Sequence, residues 1–216
     1  MSESTAPIHY KLRLFVAAGI GFLIGVVVTI GGLLLSIRYF VSWAARSDVS
    51  VSENPERRLF DAAAKLSQSK DEYHRWLALD DVGMWNVDVG SLDRAKDYAE
   101  DLLATAERYK NDWNYGNTIH KGHLILGRIE LRRGDRLTAA KHLLEAGKTP
   151  GSPQLNSFGP NMILAKELLE AGEQKAVLQY LELCGRFWKS DFGALEKWKE
   201  MISGGRFPNF GANLLY

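Results

Sequence analysis

The stretch Ile125–Gly147, "ILGRIELRRGDRLTAAKHLLEAG", contains the pattern that decides the fold. Apolar residues recur at intervals of three and four on both sides of Gly134, which predicts two amphipathic helices joined by a short turn. A glycine at such a turn supplies the left-handed backbone that ends the first helix. The small residues Gly127 and Ala139 let the two helices approach each other closely. The stretch therefore predicts an antiparallel helical hairpin.

Two other stretches align with this hairpin, namely 81–103 ("DVGMWNVDVGSLDRAKDYAEDLL") and 163–185 ("ILAKELLEAGEQKAVLQYLELCG"). Each has a glycine between its two helix-like segments and small residues at the same two offsets from that glycine. The turn glycines are Gly90, Gly134 and Gly172, the residues before them are Gly83, Gly127 and Ala165, and the residues after them are Ala95, Ala139 and Val177. The chain therefore contains an internal repeat of a hairpin unit.

The repeat resembles the tetratricopeptide repeat (TPR) family over roughly Trp76 to Trp188. In the middle unit, Leu126-Gly127 stand at the family's Leu-Gly pair and Gly134 at its turn. The small positions and the closing proline are matched by Ala139, Ala146 and Pro150. The unit departs from the family pattern at His123 and Glu130, where aromatic residues are usual, and the repeat spacing exceeds the usual 34 residues. The resemblance implies a stack of antiparallel hairpins that share one core.

The predicted fold class is all-α, because no convincing strand-type alternation occurs from Asn54 onward. We expect a TPR-like domain over 55–203, with its first and last helices as caps, and a non-helical tail over 204–216. The predicted helices are 55–68, 71–88, 92–110, 115–133, 136–146, 161–171, 174–188 and 191–203.

A separate segment precedes this domain. Residues 14–37 contain no charged side chain, and as a helix they would measure roughly 36 Å, enough to cross an apolar layer of about 30 Å. We therefore expect a short tail over 1–13, one transmembrane helix over 14–37 that can extend to about 43, and a polar linker over 47–54. A cleavable signal peptide is the alternative, with 42–47 ("SWAARS") as its cleavage site, although its apolar run would be shorter.

The predicted membrane helix has a stripe of small residues, Ala17, Gly21, Gly25 and Thr29, at intervals of four. Such a stripe permits close helix–helix contact in lipid. We therefore expect either a homo-dimer or docking on another membrane subunit. The expected location is the plasma (inner) membrane of a bacterium as a single-pass protein. Lysine and arginine are nearly balanced across the span, so the orientation stays open, with the large domain expected outside the cytoplasm.

The sequence offers no positive case for catalysis. The net charge is +1, without the concentrated basic patch that nucleic-acid binding requires. No phosphate-binding loop, dinucleotide fingerprint or nucleophile motif occurs. His120 and His123 lack a third ligand, and Cys184 is expected to be a buried, inert thiol. We therefore expect no enzyme activity, cofactor or metal. The tryptophans other than the interfacial Trp43 are expected in the core.

In TPR-like proteins the first helix of each hairpin lines a groove that receives a peptide. Placed on that pattern, seven residues are expected to line a partner groove: Asp80, Met84, Lys121, Leu124, Arg128, Met162 and Lys166. The cations among them predict a groove that is basic in its middle and far end, suited to a carboxylate or an acidic peptide. The other interpretation is that these are merely solvated helix residues.

The joint between the second and third hairpins, 147–162 ("GKTPGSPQLNSFGPNM"), is unusually long. We expect an extended, turn-rich segment with Leu155 and Phe158 packed inward. The motif "FGPN" (158–161) recurs as "FGAN" (210–213), so loop and tail are expected to pack together and form a rim of the groove. The expected rim residues are Gln154, Asn156, Phe158 and Asn161; a chance match of two turns is the alternative.

These features predict a membrane-anchored scaffold (an adaptor, assembly factor or chaperone-like protein) that binds a protein or peptide. A structural accessory subunit of a membrane complex is the alternative, and an enzyme of unknown type the third.

Overall fold

The computed structural model describes residues 54–215. This part of the chain consists of helices and loops without any strand, which confirms the predicted all-α class. In chain order its helices are α1 (Pro55–Ser67), α2 (Glu72–Asp88), α3 (Leu92–Ala106), α4 (Tyr115–Arg132), α5 (Arg136–Gly147), α6 (Pro153–Phe158), α7 (Ile163–Glu170), α8 (Gln174–Cys184) and α9 (Ala194–Ser203). Short 3-10 turns occupy Glu107–Tyr109 and Gly211–Leu214, so the tail is not wholly non-helical.

The predicted membrane helix 14–37 and its stripe of Ala17, Gly21, Gly25 and Thr29 lie outside the described residues. Within 54–215, none of the helices has the length and apolar character that crossing a membrane requires.

The three aligned glycines form the same turn. Gly90, Gly134 and Gly172 have φ angles of 80°, 89° and 88°. In each turn the glycine N–H donates to the carbonyl three residues back. The next N–H donates to the carbonyl five residues back, at 2.8 Å in the first and third turns and 2.9 Å in the second. This is the Schellman arrangement that satisfies the last carbonyls of a helix. These turns make α2–α3, α4–α5 and α7–α8 three antiparallel hairpins.

The hairpins pack side by side in two layers. In one layer α2 contacts α4 and α4 contacts α7, and in the other α5 contacts α8. Helix α1 packs on α2, and α9 packs on α8, so the two end helices cover the two ends of the row. The middle helix α4 therefore has neighbours on both sides within its own layer.

The core has two parts that meet at α4. One is built on α2 and α3, around Trp76, and takes Ile125 and Ile129 from α4. The other is built on α5, α7 and α8, around Tyr180, and takes Leu124 from α4. Because consecutive residues of one helix enter different clusters, α4 couples the first hairpin to the third.

Helix α6 is a departure from the expected extended loop. Ser152 caps it by accepting the backbone N–H of Leu155 at 2.9 Å, and Pro153 occupies its first turn. Proline there loses no helical hydrogen bond, so a serine followed by proline begins a helix. Leu155 is buried as expected, whereas Phe158 is 61% exposed and not packed inward. Helix α7 then begins at Ile163, close to the predicted start.

We predict that Gly127→Ala lowers the free energy of unfolding of the full chain by about 1–3 kcal/mol. A methyl group there would collide with the side chain of Leu164 and lie 3.2 Å from the Ala139 carbonyl. Gly185→Ala is the control, because its added methyl meets no atom closer than 3.4 Å. Denaturant titration measures both variants, and equal midpoints would contradict close packing of α4 on α5 and α7.

Candidate functional site

A groove of about 430 Å³ opens between α1, α2, α4 and the C-terminal tail. We call it the α2 groove, because α2 supplies more of its lining residues than any other element. Its apolar lining comes from Ala62, Met84, Trp85, Ile163, Leu214 and Leu215. Its charged lining comes from Arg58, Asp61, Lys65, Asp80, Asp81, Asp88 and Lys121. The groove is therefore an apolar surface edged by charges of both signs.

Most of these charges are paired with one another. Lys121 Nζ donates to Asp80 Oδ2 at 2.5 Å, and Lys65 Nζ donates to Asp81 Oδ2 at 3.2 Å. Burial disfavours the charged form of Lys121, but the Asp80 carboxylate outweighs this and raises the pKa of Lys121. The Arg58 guanidinium lies 5.6 Å from the centre of a Trp85 ring, within cation–π range.

Beneath the groove, Arg128 is 1% exposed and joins three helices. Its guanidinium makes paired bonds to Glu167 of α7 at 2.9 and 3.0 Å, and another to Asp88 Oδ1 of α2 at 2.6 Å. It also donates to the Met84 sulfur at 3.0 Å. Burial alone would lower the pKa of Arg128, but Glu167 and Asp88 raise it. The positive charge of Arg128 is therefore compensated by carboxylates of the domain itself.

The structure does not bring the seven predicted groove residues together. Asp80, Met84 and Lys121 line the α2 groove. Leu124, Arg128 and Met162 lie in the interior, because the core closes over them. Lys166 points elsewhere and pairs with Glu170 at 2.8 Å.

The expected basic character of the groove is also absent. Each of the three cations on which it rested has a carboxylate partner within the domain. The α2 groove is therefore charge-compensated, and nothing in it favours an acidic peptide over a neutral one.

A second hollow of about 340 Å³ lies between α4 and α6. We call it the α6 cavity. It is lined by Asn117, His120, Gln154, Leu155, Phe158 and Gly159, together with Lys121 and Asn161. Because Lys121 and Asn161 also line the α2 groove, the two hollows adjoin each other.

His120 holds the wall of the α6 cavity in place. Its ring is 1% exposed, with Nδ1 3.1 Å from the Ala146 carbonyl and Nε2 3.2 Å from the Asn161 N–H. A carbonyl can only accept and an N–H can only donate, so the proton is on Nδ1 and Nε2 accepts. Burial lowers the pKa of His120 to about 4, although the Ala146 carbonyl opposes the shift.

The predicted rim residues take different positions. Gln154 and Phe158 line the α6 cavity, and Asn161 separates it from the α2 groove. Asn156 lines neither hollow, because its side chain accepts the backbone N–H of Lys189 at 3.0 Å.

The loop and the tail make direct contacts, as the paired motifs predict. Asn213 of the tail donates to the carbonyls of Phe158 and Pro160 at 3.1 and 2.9 Å. Its own carbonyl accepts the N–H of Met162 at 2.8 Å. The tail thereby places Leu214 and Leu215 beside the groove.

Sequence reasoning missed several groove residues. Trp85 was expected in the core, yet it lines the groove, and Trp113 is 58% exposed; Trp76, Trp188 and Trp198 are buried as expected. Asp61 is absent from the predicted groove residues, although its place one turn after Arg58 on the amphipathic α1 is a usable signal. Leu214 and Leu215 of the tail also line the groove. Periodicity does not predict this, because it does not show where the tail runs relative to the helices.

Two side chains that the sequence offers for metal binding or nucleophilic chemistry, His123 and Cys184, line neither hollow. His123 Nδ1 lies 3.2 Å from His142 Nδ1. Cys184 is fully buried, and burial raises the pKa of its thiol far above the usual range. Within 54–215 no group of three or more His, Cys, Asp or Glu side chains is arranged to hold a metal ion.

No protein-family model, curated protein or solved structure matches the chain.

We predict that Arg128→Leu lowers the free energy of unfolding by about 3–5 kcal/mol, because it leaves Asp88 and Glu167 uncompensated beside the core. Arg132→Leu is the control: it removes another partner of Glu167 at 3.2 Å, but its side chain is 43% exposed and should cost under about 1 kcal/mol. Adding Asp88→Asn and Glu167→Gln to Arg128→Leu should recover part of the loss. Equal costs for the two single variants in denaturant titration would contradict the account.

A second prediction concerns acid stability. An unfolded chain binds a proton at His120 near pH 6.5, whereas the folded chain does so only near pH 4. The stability due to neutral His120 is therefore complete above about pH 6.5 and falls as the pH drops towards 4. The difference amounts to about 3 kcal/mol. His120→Gln should reduce the fall in unfolding free energy between these pH values by about that amount. An unchanged fall would show that His120 is not the buried neutral group described.

Proposed function

We propose that the protein is a single-pass membrane scaffold that binds a peptide or partner protein in the α2 groove. The supporting observation is the groove itself, an apolar floor of Met84, Trp85 and Ile163 edged by paired charges. Covering such an apolar floor with another chain is favourable, because it removes apolar surface from water. The proposed role is that of an adaptor, assembly factor or chaperone-like protein.

The proposal includes membership of the TPR class of helical repeats. Three hairpins with identical glycine turns, stacked so that α2, α4 and α7 share one layer, support it. The groove lies on the layer formed by these first helices, the face that the resemblance assigns to partner binding.

The proposal also includes a membrane anchor at 14–37, with the domain outside the cytoplasm. The uncharged run of the sequence supports the anchor. The basic residues that flank it are nearly balanced, so they give the orientation less support. Carbonate extraction tests the anchor, and protease treatment of sealed vesicles tests the side. Cleavage of the domain only from the cytoplasmic face would reverse the orientation.

A permanent accessory subunit is the second candidate, and exposed aromatic side chains favour it. Phe192 is 97% exposed and has a left-handed φ of 50°, and Phe60 and Phe207 are 73% and 62% exposed. Covering these side chains with a permanent partner would be favourable, because it removes their apolar surface from water. The small-residue stripe of the anchor would hold such a subunit in its complex.

Charge reversal in the groove tests the proposed function. Asp61 and Asp97 are both exposed aspartates whose side chains form no hydrogen bond or ion pair with another described residue, but Asp61 lines the groove and Asp97 lies on α3. We expect Asp61→Arg to abolish co-purification of the partner from membranes in mild detergent, because the larger cation obstructs the groove. Asp97→Arg should leave it unchanged.

The same purification separates the two candidates. A partner retained at constant stoichiometry by both variants would contradict groove binding and support the accessory subunit.

A further inference from the structure

The α6 cavity has already used most of its polar groups internally. Asn117 Nδ2 donates to Gln154 Oε1 at 2.7 Å, and Asn117 Oδ1 accepts the Ser152 hydroxyl at 2.6 Å. Both ring nitrogens of His120 are bonded, one to Ala146 and one to Asn161. A group that entered the cavity would find few free donors or acceptors, so a polar or charged group would lose its hydration without compensation.

The remaining wall is apolar and partly uncovered. Leu155 is 6% exposed and forms the inner part, whereas Phe158 leaves 61% of its surface in solvent at the edge. Between this wall and the tail, Gly159 has a φ of 86°, and a methyl group added there would meet the Trp188 ring at 2.6 Å. The backbone can therefore form this wall only with glycine. The volume of about 340 Å³ lies at the small end of the range of ligand pockets.

The boundary between the cavity and the α2 groove is held by specific bonds. Lys121 is fixed by Asp80, and Asn161 is fixed by His120 at its N–H and by the Tyr180 hydroxyl at its carbonyl, 3.1 Å away. A chain that lies in the groove therefore passes directly beside an existing hollow. The cavity is thus within reach of a side chain on a peptide in the groove.

These observations favour a peptide over a free small molecule. The ammonium group of Lys121, the charged group in the cavity lining, is paired with Asp80. A free molecule would therefore be held mainly by apolar contact. A peptide adds contacts with Met84 and Trp85 along the adjoining groove, so it gains more from the same cavity.

We infer that the α6 cavity is the anchor pocket for one bulky apolar side chain, of the size of leucine or phenylalanine, on an extended peptide segment of a partner protein that lies in the α2 groove. This inference rests on the proposed function and specifies its partner. The anchor, rather than the charges of the groove, selects the segment.

A peptide panel tests the inference. The probes are fluorescein-labelled nine-residue peptides of alternating alanine and serine with Phe, Leu, Ala or Glu at the centre, titrated against the full chain by fluorescence anisotropy. We expect the Phe and Leu peptides to bind at least about tenfold more tightly than the Ala peptide, because the central side chain leaves water. The Glu peptide should bind most weakly.

Two variants locate the site. Phe158→Ala removes an exposed wall of the cavity and should reduce the preference for Phe over Ala to under about threefold. Phe192→Ala removes an exposed phenylalanine that lines neither hollow and should leave the preference unchanged.

Each other outcome overturns the inference in a distinguishable way. If the panel binds without preference, and Asp61→Arg abolishes this binding, the groove stands and the anchor fails. If N-acetyl-phenylalanine amide binds as tightly as the Phe peptide, the cavity is a small-molecule site. If no peptide binds, both the anchor and the proposed function fail.

Discussion

The buried guanidinium of Arg128 is the interaction on which the arrangement of the hairpins depends. A cation with 1% exposure is tolerated only where its charge and its donors are satisfied, and here Asp88 of α2 and Glu167 of α7 do this. The three first helices must therefore keep one relative position for the charges to meet. The apolar clusters on either side of α4 supply most of the free energy of folding, but they do not fix the register as closely.

This constraint explains why the α2 groove is charge-compensated. The cation that would make its centre basic is needed to join the first and third hairpins, and Lys121 is held by Asp80 in the same way. What remains open to a partner is an apolar floor and, beside it, the α6 cavity. The domain therefore offers shape and apolar surface to a ligand more than charge.

The hairpins could be predicted from the sequence because their turns are local. A glycine with a small residue seven before and five after it determines both the turn and the close packing, and the three turns agree in φ and in hydrogen bonding. The interior position of Arg128 could not be predicted, because it depends on acids about 40 residues away in either direction. Trp85 and Phe158 illustrate the same limit. Periodicity predicts on which face of a helix a residue lies, but not whether a neighbouring element covers that face. Helix α6 was missed for another reason, since the serine and proline that begin it were interpreted as turn residues.

Amine crosslinking of the protein in its native membrane, followed by mass spectrometry of the linked peptides, tests the central claim that the groove binds a partner. Lys65 and Lys121 line the α2 groove, whereas Lys141 on α5 and Lys175 on α8 are exposed on the other layer. The account predicts that one partner is linked through Lys65 or Lys121, and that Asp61→Arg removes these links. Links to that partner through Lys141 and Lys175 alone, unchanged by Asp61→Arg, would contradict it.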